Sequence, residues 1–315
     1  MLFNKVTLFV QNTLKSPVNF RGRGLHSGQP VRMVLRPASA DYGVWFSRTD
    51  VAGSDALIPA RWDAVIPSKL CTMIGNAAGV SVSTVEHLMA AFAGLGLNNV
   101  LVEIDGPEVP ILDGSSAPYV EAILTRGLRC QAEPVRAIRI LSAVEVRDGI
   151  SWARLEPAEV MEIDFAINFD AKAIGSQSRR LNLSNGAFVR ELCDSRTFCL
   201  KSDIEEMHRK GLALGGSMEN AVVFDGDKVL TPGGLRHEDE PVRHKMLDAM
   251  GDLALAGGPI LGRYVGNRAG HAMTNALLRK VFATPGSYRM VDCAGTTEGK
   301  LPGVGVVRQD LPAYA

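Results

Sequence analysis

Residues 238–252 read EDEPVRHKMLDAMGD and predict a two-faced helix around which the rest of the chain is arranged. At about 100° per residue, His244, Asp248 and Asp252 lie one turn apart on a single face. An apolar stripe occupies the other face and consists of Met246, Leu247, Met250 and Leu253. The acidic residues and the proline suit a first helical turn, and the glycines and proline of residues 257–259 end the helix.

The polar face of this helix has two interpretations. A histidine and a carboxylate one turn apart point the same way and can hold one cation between them. The same two groups can also form an ordinary ion pair on a solvent-exposed face, and the helix alone favours that simpler interpretation. The third polar residue of this face, Asp252, is a reason to look for partners elsewhere in the chain.

Composition indicates a globular protein with a full core. Of its 315 residues, 46% are hydrophobic and 22% are charged. At roughly 150 residues per domain, this length predicts two domains. The charges of 34 basic and 34 acidic residues cancel. The chain therefore has no net positive charge that would attract nucleic acid or an anionic membrane. No apolar run reaches the roughly 18 residues of a transmembrane helix. Polar residues interrupt the apolar run at the amino terminus, so no signal peptide is expected.

The cysteines indicate a reducing compartment. They are odd in number, widely spaced and without a CxxC pair: Cys71, Cys130, Cys193, Cys199 and Cys293. This usage predicts free thiols in the cytoplasm, and it disfavours a disulfide framework or a zinc site made of thiolates.

Strands and helices recur in a similar order in two parts of the chain. In each part, short strands precede a helix that starts near a histidine, His87 or His244, ends in glycines and leads into another strand. This faint repeat predicts an α+β fold of two similar two-layer domains, residues 1–132 and 133–315. Residues 129–136 are interpreted as a linker, and the opening strand is predicted from Thr7.

Further polar residues could complete a catalytic set. A catalytic zinc site takes three protein ligands and leaves one position for water, and His87, His244 and Asp248 supply two imidazoles and a carboxylate. Glu86 could accept the proton of that water, and His271 could protonate a leaving group. Glu86 also has a structural interpretation, because its spacing from a serine at position 83 fits a capping box. Spacing alone does not show that these residues meet.

Seven motifs occur together and in order: STVEHL at residues 83–88, GLG at 94–96, PILDGS at 110–115, RTF at 196–198, GGS at 215–217, VRHKMLD at 242–248 and GH at 270–271. With them the chain closely resembles the UDP-3-O-acyl-N-acetylglucosamine deacetylases, zinc amidases that commit precursors to lipid A. The resemblance runs from about Thr7 to Phe282.

The resemblance implies a fold in which the helices of two α+β domains are sandwiched between the sheets, with a small insert in each domain. The insert of the second domain, a βαβ unit, is expected at residues 199–229. Four of its apolar residues would line a passage for an acyl chain: Ile204, Met207, Leu212 and Val222.

The resemblance also implies residue roles. One Zn²⁺ would be held by His87, His244 and Asp248. The implied catalytic residues are Glu86 as general base, His271 as general acid or electrostatic partner, Asp252 as the group that orients that imidazole, and Thr197 as a donor to the oxyanion. The implied substrate contacts are Phe198 and Lys245 to the sugar and Arg268 to the diphosphate. Cys71 would lie near the metal, and Cys199 stands where relatives often have glycine.

The implied reaction removes acetate from the 2-acetamido group of UDP-3-O-(3-hydroxyacyl)-N-acetylglucosamine in the cytoplasm. The expected partner is this small molecule, with no nucleic acid, a peripheral membrane contact at most through the acyl chain, and a monomeric protein. Two alternatives stay open: a zinc amidase acting on another acetylated sugar nucleotide, and a non-catalytic relative that binds sugar nucleotides or lipids.

Overall fold

The computed structural model of the protein describes residues 10–293 and 300–312. The start of the strand predicted from Thr7 lies outside these residues, and β1 is described from Val10. The strands of the first half are β1 (Val10–Leu14), β2 (Val18–Arg23), β3 (Pro30–Pro37), β4 (Val44–Arg48), β5 (Leu57–Pro59), β6 (Val65–Ile66), β7 (Met73–Gly75), β8 (Ser81–Ser83), β9 (Val100–Ile104) and β10 (Leu128–Pro134).

The main sheet of the first half has the strand order β2-β3-β9-β4-β5. Strand β3 shows how the sequence sets its two faces, because Val31, Met33 and Leu35 are buried while Arg32 and Arg36 are exposed. A small antiparallel sheet, β6-β7-β8, is inserted before the first helix, and β1 pairs with β10.

The strands of the second half are β11 (Arg136–Ile140), β12 (Val144–Asp148), β13 (Ser151–Glu156), β14 (Met161–Asn168), β15 (Ser176–Asn182), β16 (Phe198–Leu200), β17 (Val222–Asp225), β18 (Lys228–Val229), β19 (Ile260–Asn267) and β20 (Tyr288–Asp292). Seven of them form one sheet in which β19 pairs with β11, β13 and β14. Strands β16, β17 and β18 form a separate small sheet.

The helices of the described residues are α1 (Glu86–Leu95), α2 (Ala117–Arg126), α3 (Ala187–Glu191), α4 (Lys201–Arg209), α5 (Glu240–Ala254) and α6 (His271–Ala283). One hydrophobic core runs from the first main sheet through α1 and α5 to the second, so these helices lie between the sheets. The predicted α+β class is therefore confirmed. No helix in the described part of the chain is long and apolar enough to cross a membrane.

Helices α1 and α5 pack closely because one residue at their contact has no side chain. A Cβ on Gly251 would lie 1.9 Å from the carbonyl oxygen of Glu86, so only glycine allows this approach. The contact brings the start of α1 against the second half of α5.

Two expectations from the sequence are wrong. The polar face of α5 is not solvent-exposed, because α5 lies between layers: His244, Asp248 and Asp252 are 2%, 4% and 3% exposed. Residues 129–136 are not a linker, because most of them form β10, whose residues are all at least partly exposed and so give no apolar alternation. Since β10 still pairs within the first half, we keep the division near residue 132 as a proposal.

The insert of the second half is a βαβ unit. Strands β16 and β17 are parallel, and α4 connects them. The unit lies between Thr197 and the start of α5, and so it is attached directly beside the residues of the site.

Candidate metal centre and active site

Three possible metal ligands converge where α1 packs against α5. His87 is the second residue of α1, and His244 and Asp248 lie one turn apart on α5. One ligand atom from each lies within 4.8 Å of the others, and all three residues are buried. Asp248 Oδ1 is 3.4 Å from Nε2 of both histidines.

The donor atoms of this group fit a divalent cation. Asp248 Oδ1 is buried and accepts no hydrogen bond from any described residue, although Oδ2 accepts one from Lys245 Nζ at 2.7 Å. A buried carboxylate oxygen left without a partner is costly. His244 Nδ1 donates to the Ser195 carbonyl oxygen at 3.1 Å, so Nε2 carries a lone pair toward the group. Two imidazoles and a carboxylate are a donor set that suits a catalytic zinc ion.

Electrostatics favour the ligand forms of two of these residues. Burial lowers the pKa of His244 to about 4, so its imidazole is neutral at neutral pH. Burial opposes the charge of Asp248, but His244 and Lys245 outweigh it and hold the pKa of this carboxyl well below its usual range. A neutral imidazole and an ionised carboxylate are the forms that bind a metal.

Glu86 is the first residue of α1, and it does not cap the helix. The residue before it, Val85, is the N-cap, and no side chain makes a cap hydrogen bond. The capping-box interpretation is wrong because Ser83 belongs to β8 and Thr84 turns the chain through a φ of 58° before the helix begins. Burial raises the pKa of Glu86, whose Oε2 accepts the N–H of Thr72 at 2.9 Å.

His271 lies beside Glu86 and Asp248. Its Nδ1 lies 2.9 Å from Asp252 Oδ2, and its Nε2 lies 3.9 Å from both Glu86 Oε1 and Asp248 Oδ2. Burial opposes a charge on this imidazole, but Asp252 and Glu86 outweigh it and raise the pKa of His271 to about 9. The ring is therefore a proton donor at neutral pH, with Nδ1–H held by Asp252.

A cavity of about 1140 Å³ opens beside these groups and collects most of the predicted substrate residues. Its wall includes Thr197, Phe198, Ile204, Met207, Lys245 and Arg268, and also Cys71 and Cys199. Leu212 and Val222 are not among the described residues that line it, whereas their neighbours Ala213 and Val223 are. Val222 points instead into the hydrophobic core, because successive side chains of a strand alternate in direction.

Phe198 and Arg268 are placed by their local structure. The Phe198 ring lies edge-on to the His244 ring at a centroid distance of 6.2 Å, which puts an apolar surface next to a possible metal ligand. Arg268 has a φ of 51° between β19 and α6, and its N–H donates to the Ala166 carbonyl oxygen. Burial raises the pKa of Cys71 to about 11, so this thiol is protonated at neutral pH.

Two residues of the site have no signal in the sequence. The Ser195 carbonyl oxygen sets the tautomer of His244, and Thr72 binds both Glu86 and Asp252. A backbone carbonyl carries no residue preference, and Thr72 lies 180 residues from Asp252 in the chain. Nothing in the spacing of either residue could have indicated its contact.

The α+β fold and this buried donor set, with a carboxylate and an imidazolium beside it, define a metal-dependent hydrolase. Comparison with known proteins gives the particular family. Residues 11–283 match the family model described as UDP-3-O-acyl N-acetylglycosamine deacetylase. The chain belongs to that family, which confirms the resemblance inferred from the sequence motifs.

Individual relatives agree along nearly their whole length. The chain is 51% identical over 280 residues to the UDP-3-O-acyl-N-acetylglucosamine deacetylase of Phenylobacterium zucineum (strain HLK1). The aligned residues cover 89% of this chain and 96% of the relative. It is 46% identical to the enzyme of that name from Anaeromyxobacter sp. (strain Fw109-5), over 98% of this chain and 99% of the relative. It is 45% identical to the enzyme of that name from Pasteurella multocida (strain Pm70), over 89% of this chain and 92% of the relative.

Proposed function

We propose that this protein is a zinc-dependent deacetylase that releases acetate from the 2-acetamido group of UDP-3-O-(3-hydroxyacyl)-N-acetylglucosamine, the committed step of lipid A biosynthesis. The observation that carries the chemistry is the buried, unpartnered Asp248 Oδ1 between two imidazole nitrogens. The names of the curated relatives support the substrate. Zinc is proposed because two imidazoles and one carboxylate are a common catalytic zinc set.

Proton transfers are assigned to the groups beside the metal ligands. When bound, the cation supplies Lewis acidity toward the amide and the attacking water. Glu86 takes the proton of that water at Oε1, because Oε2 is engaged with Thr72. Its raised pKa makes Glu86 a better proton acceptor than an ordinary carboxylate. His271 holds a proton at Nε2, and either this proton or the one on Glu86 goes to the departing amine.

The remaining residues orient the substrate. Thr197 donates its hydroxyl to the oxyanion, and Phe198 packs against the sugar. Lys245 already bonds to the ligand carboxylate of Asp248, so its other two N–H groups are assigned to the sugar and its substituents. Arg268 is assigned to the diphosphate, which a guanidinium can bind with two parallel hydrogen bonds.

The acyl chain is assigned to the βαβ unit. Ile204 and Met207 of α4 line the cavity and would contact the chain directly. Leu212, which stands outside the cavity wall, would act by holding the loop after α4, where its N–H bonds to the Met207 carbonyl oxygen at 2.8 Å. This assignment predicts that the enzyme requires the 3-O-acyl group.

We further propose a monomer in the cytoplasm whose contact with membranes is limited to its acylated substrate. The five free thiols support a reducing compartment. Metal content and acetate release, measured on the same preparation, test the main proposal. One zinc per chain with acetate release that depends on it is the expected result. Turnover that persists after complete metal removal would refute it.

A further inference from the structure

Thr72 holds the two carboxylates that flank the metal group. It is 3% exposed and directly precedes β7 in the small inserted sheet. Its N–H donates to Glu86 Oε2 at 2.9 Å, and its hydroxyl donates to Asp252 Oδ1 at 2.5 Å. Because Glu86 begins α1 and Asp252 lies on α5, this one residue next to the inserted sheet connects both helices of the site.

Each carboxylate keeps its other oxygen for the reaction site. Glu86 Oε1 faces His271 Nε2 at 3.9 Å, and Asp252 Oδ2 accepts the hydrogen of His271 Nδ1 at 2.9 Å. A carboxylate that is bonded at one oxygen cannot turn freely about its terminal torsion. Thr72 therefore fixes the direction in which both remaining oxygens point.

We propose that Thr72 is a positioning residue for the deacetylation, which sets the orientation of Glu86 and His271 by its hydrogen bonds to Glu86 and Asp252. The inference rests on the proposed function, which assigns the proton transfers to Glu86 and His271. It adds a residue that is neither among the possible metal ligands nor among the residues that line the cavity.

The two contacts of Thr72 can be separated by substitution. Its backbone is held independently of the side chain, because the Thr72 carbonyl oxygen accepts the N–H of Val85 at 3.3 Å. Thr72→Val therefore keeps the backbone donor to Glu86 and removes only the hydroxyl. Asp252 Oδ1 then loses the donor that the structure gives it and is left buried without a partner. Thr72→Ser keeps the hydroxyl.

Steady-state kinetics of the metal-loaded variants test the proposal. For Thr72→Val we expect kcat to fall about 10–100-fold, as for other residues that orient catalytic side chains from behind. KM should change little, because no substrate contact is lost. Metal content should stay at that of the parent, and Thr72→Ser should recover most of kcat. If Thr72→Val does not fold, Thr72→Ala carries the same expectation.

Thr13→Val is the matched control. Thr13 is fully buried in β1, and its hydroxyl donates to the Asn99 carbonyl oxygen at 2.7 Å and accepts the Ala38 N–H at 2.9 Å. This variant loses a comparable buried hydroxyl of a residue that does not line the cavity, and it should lose stability while keeping kcat. Equal kcat values for Thr72→Val and Thr13→Val would overturn the proposal, and so would a Thr72→Ser variant as slow as Thr72→Val.

A second measurement does not depend on turnover. The His271 Nδ1–H bonded to Asp252 should give a downfield proton NMR resonance, identified by its loss in His271→Gln. This resonance should shift in Thr72→Val and stay in place in Thr13→Val; an unmoved resonance in Thr72→Val would overturn the inference. A parent enzyme that releases no acetate would instead refute the proposed function, while the resonance would still test the role of Thr72.

Discussion

Replacing Glu86 with glutamine removes a proton acceptor and leaves the shape of the side chain. In the parent, Glu86 Oε2 lies 2.9 Å from the Thr72 backbone nitrogen and accepts its N–H, and the amide oxygen of glutamine can take over this role. The amide nitrogen then takes the position of Oε1, 3.9 Å from His271 Nε2, and cannot accept a proton from water. Loss of a general base costs about 10²–10⁴-fold in kcat/KM, or roughly 2.7–5.4 kcal/mol of transition-state stabilisation.

The same substitution should leave the fold and the metal intact. Burial raises the pKa of Glu86, which means that burial penalises its charged form, so a neutral amide at this position should not lower the melting temperature. The base acts as a carboxylate, so kcat/KM of the parent should fall as the pH drops below this raised pKa. The variant should lack that acidic limb. Acetate release across pH, zinc content and Tm are measured on one preparation.

A surface variant controls for the loss of charge alone. Glu103→Gln removes a carboxylate that pairs with Arg36 on the solvent-facing side of β3 and β9, where both side chains are partly exposed and an ion pair contributes little. It should retain parental kcat/KM. If Glu86→Gln keeps its zinc and stays within a few-fold of the parent and of Glu103→Gln, then Glu86 is not the base and the assignment must move to another group.

Three further changes test the site and the substrate. Replacing any one of His87, His244 and Asp248 with alanine should abolish zinc binding, as measured by metal analysis. A triple alanine variant that binds zinc as well as the parent would refute this ligand set. UDP-N-acetylglucosamine, which lacks the 3-O-acyl chain, should be turned over far more slowly, because each buried methylene contributes roughly 0.8 kcal/mol; equal kcat/KM values on the two substrates would contradict this. Gly251→Ala should weaken both stability and zinc binding, because the new Cβ would lie 1.9 Å from the Glu86 carbonyl oxygen and must push α1 away from α5. Overpacking of this kind costs about 1–3 kcal/mol, and unchanged unfolding and zinc affinity would show that the helices can adjust.

The central helix and the shared face of two candidate metal ligands on it could be predicted from the sequence because their signals are local. The period of the apolar residues and the glycines after them predicted α5, which runs from Glu240 to Ala254. The separation of His244 and Asp248 by one turn is a property of any helix, so their shared face followed directly. Seven short motifs in order then indicated the family, which the comparison with relatives confirmed.

Other features depended on contacts between distant segments. The sequence favoured an exposed ion pair on α5, but packing between two sheets buries it and leaves Asp248 Oδ1 without a partner. Ser83 and Glu86 have capping-box spacing, yet the chain turns at Thr84, and the Glu86 carboxylate accepts a hydrogen bond from the Thr72 N–H instead. Strand β10 exists because β1 pairs with it, since its own residues show no alternation.

The sequence by itself determined which residues could bind a metal and which helix carries two of them. Only the tertiary structure decided that His87 lies beside His244 and Asp248 and that His271 lies near Glu86. It also decided that Thr72 forms hydrogen bonds with Glu86 and Asp252. The physical reason is the range of the interactions involved. Helix periodicity and turn preferences act over a few residues, whereas a hydrogen bond spanning 180 residues of chain forms only after the layers have packed.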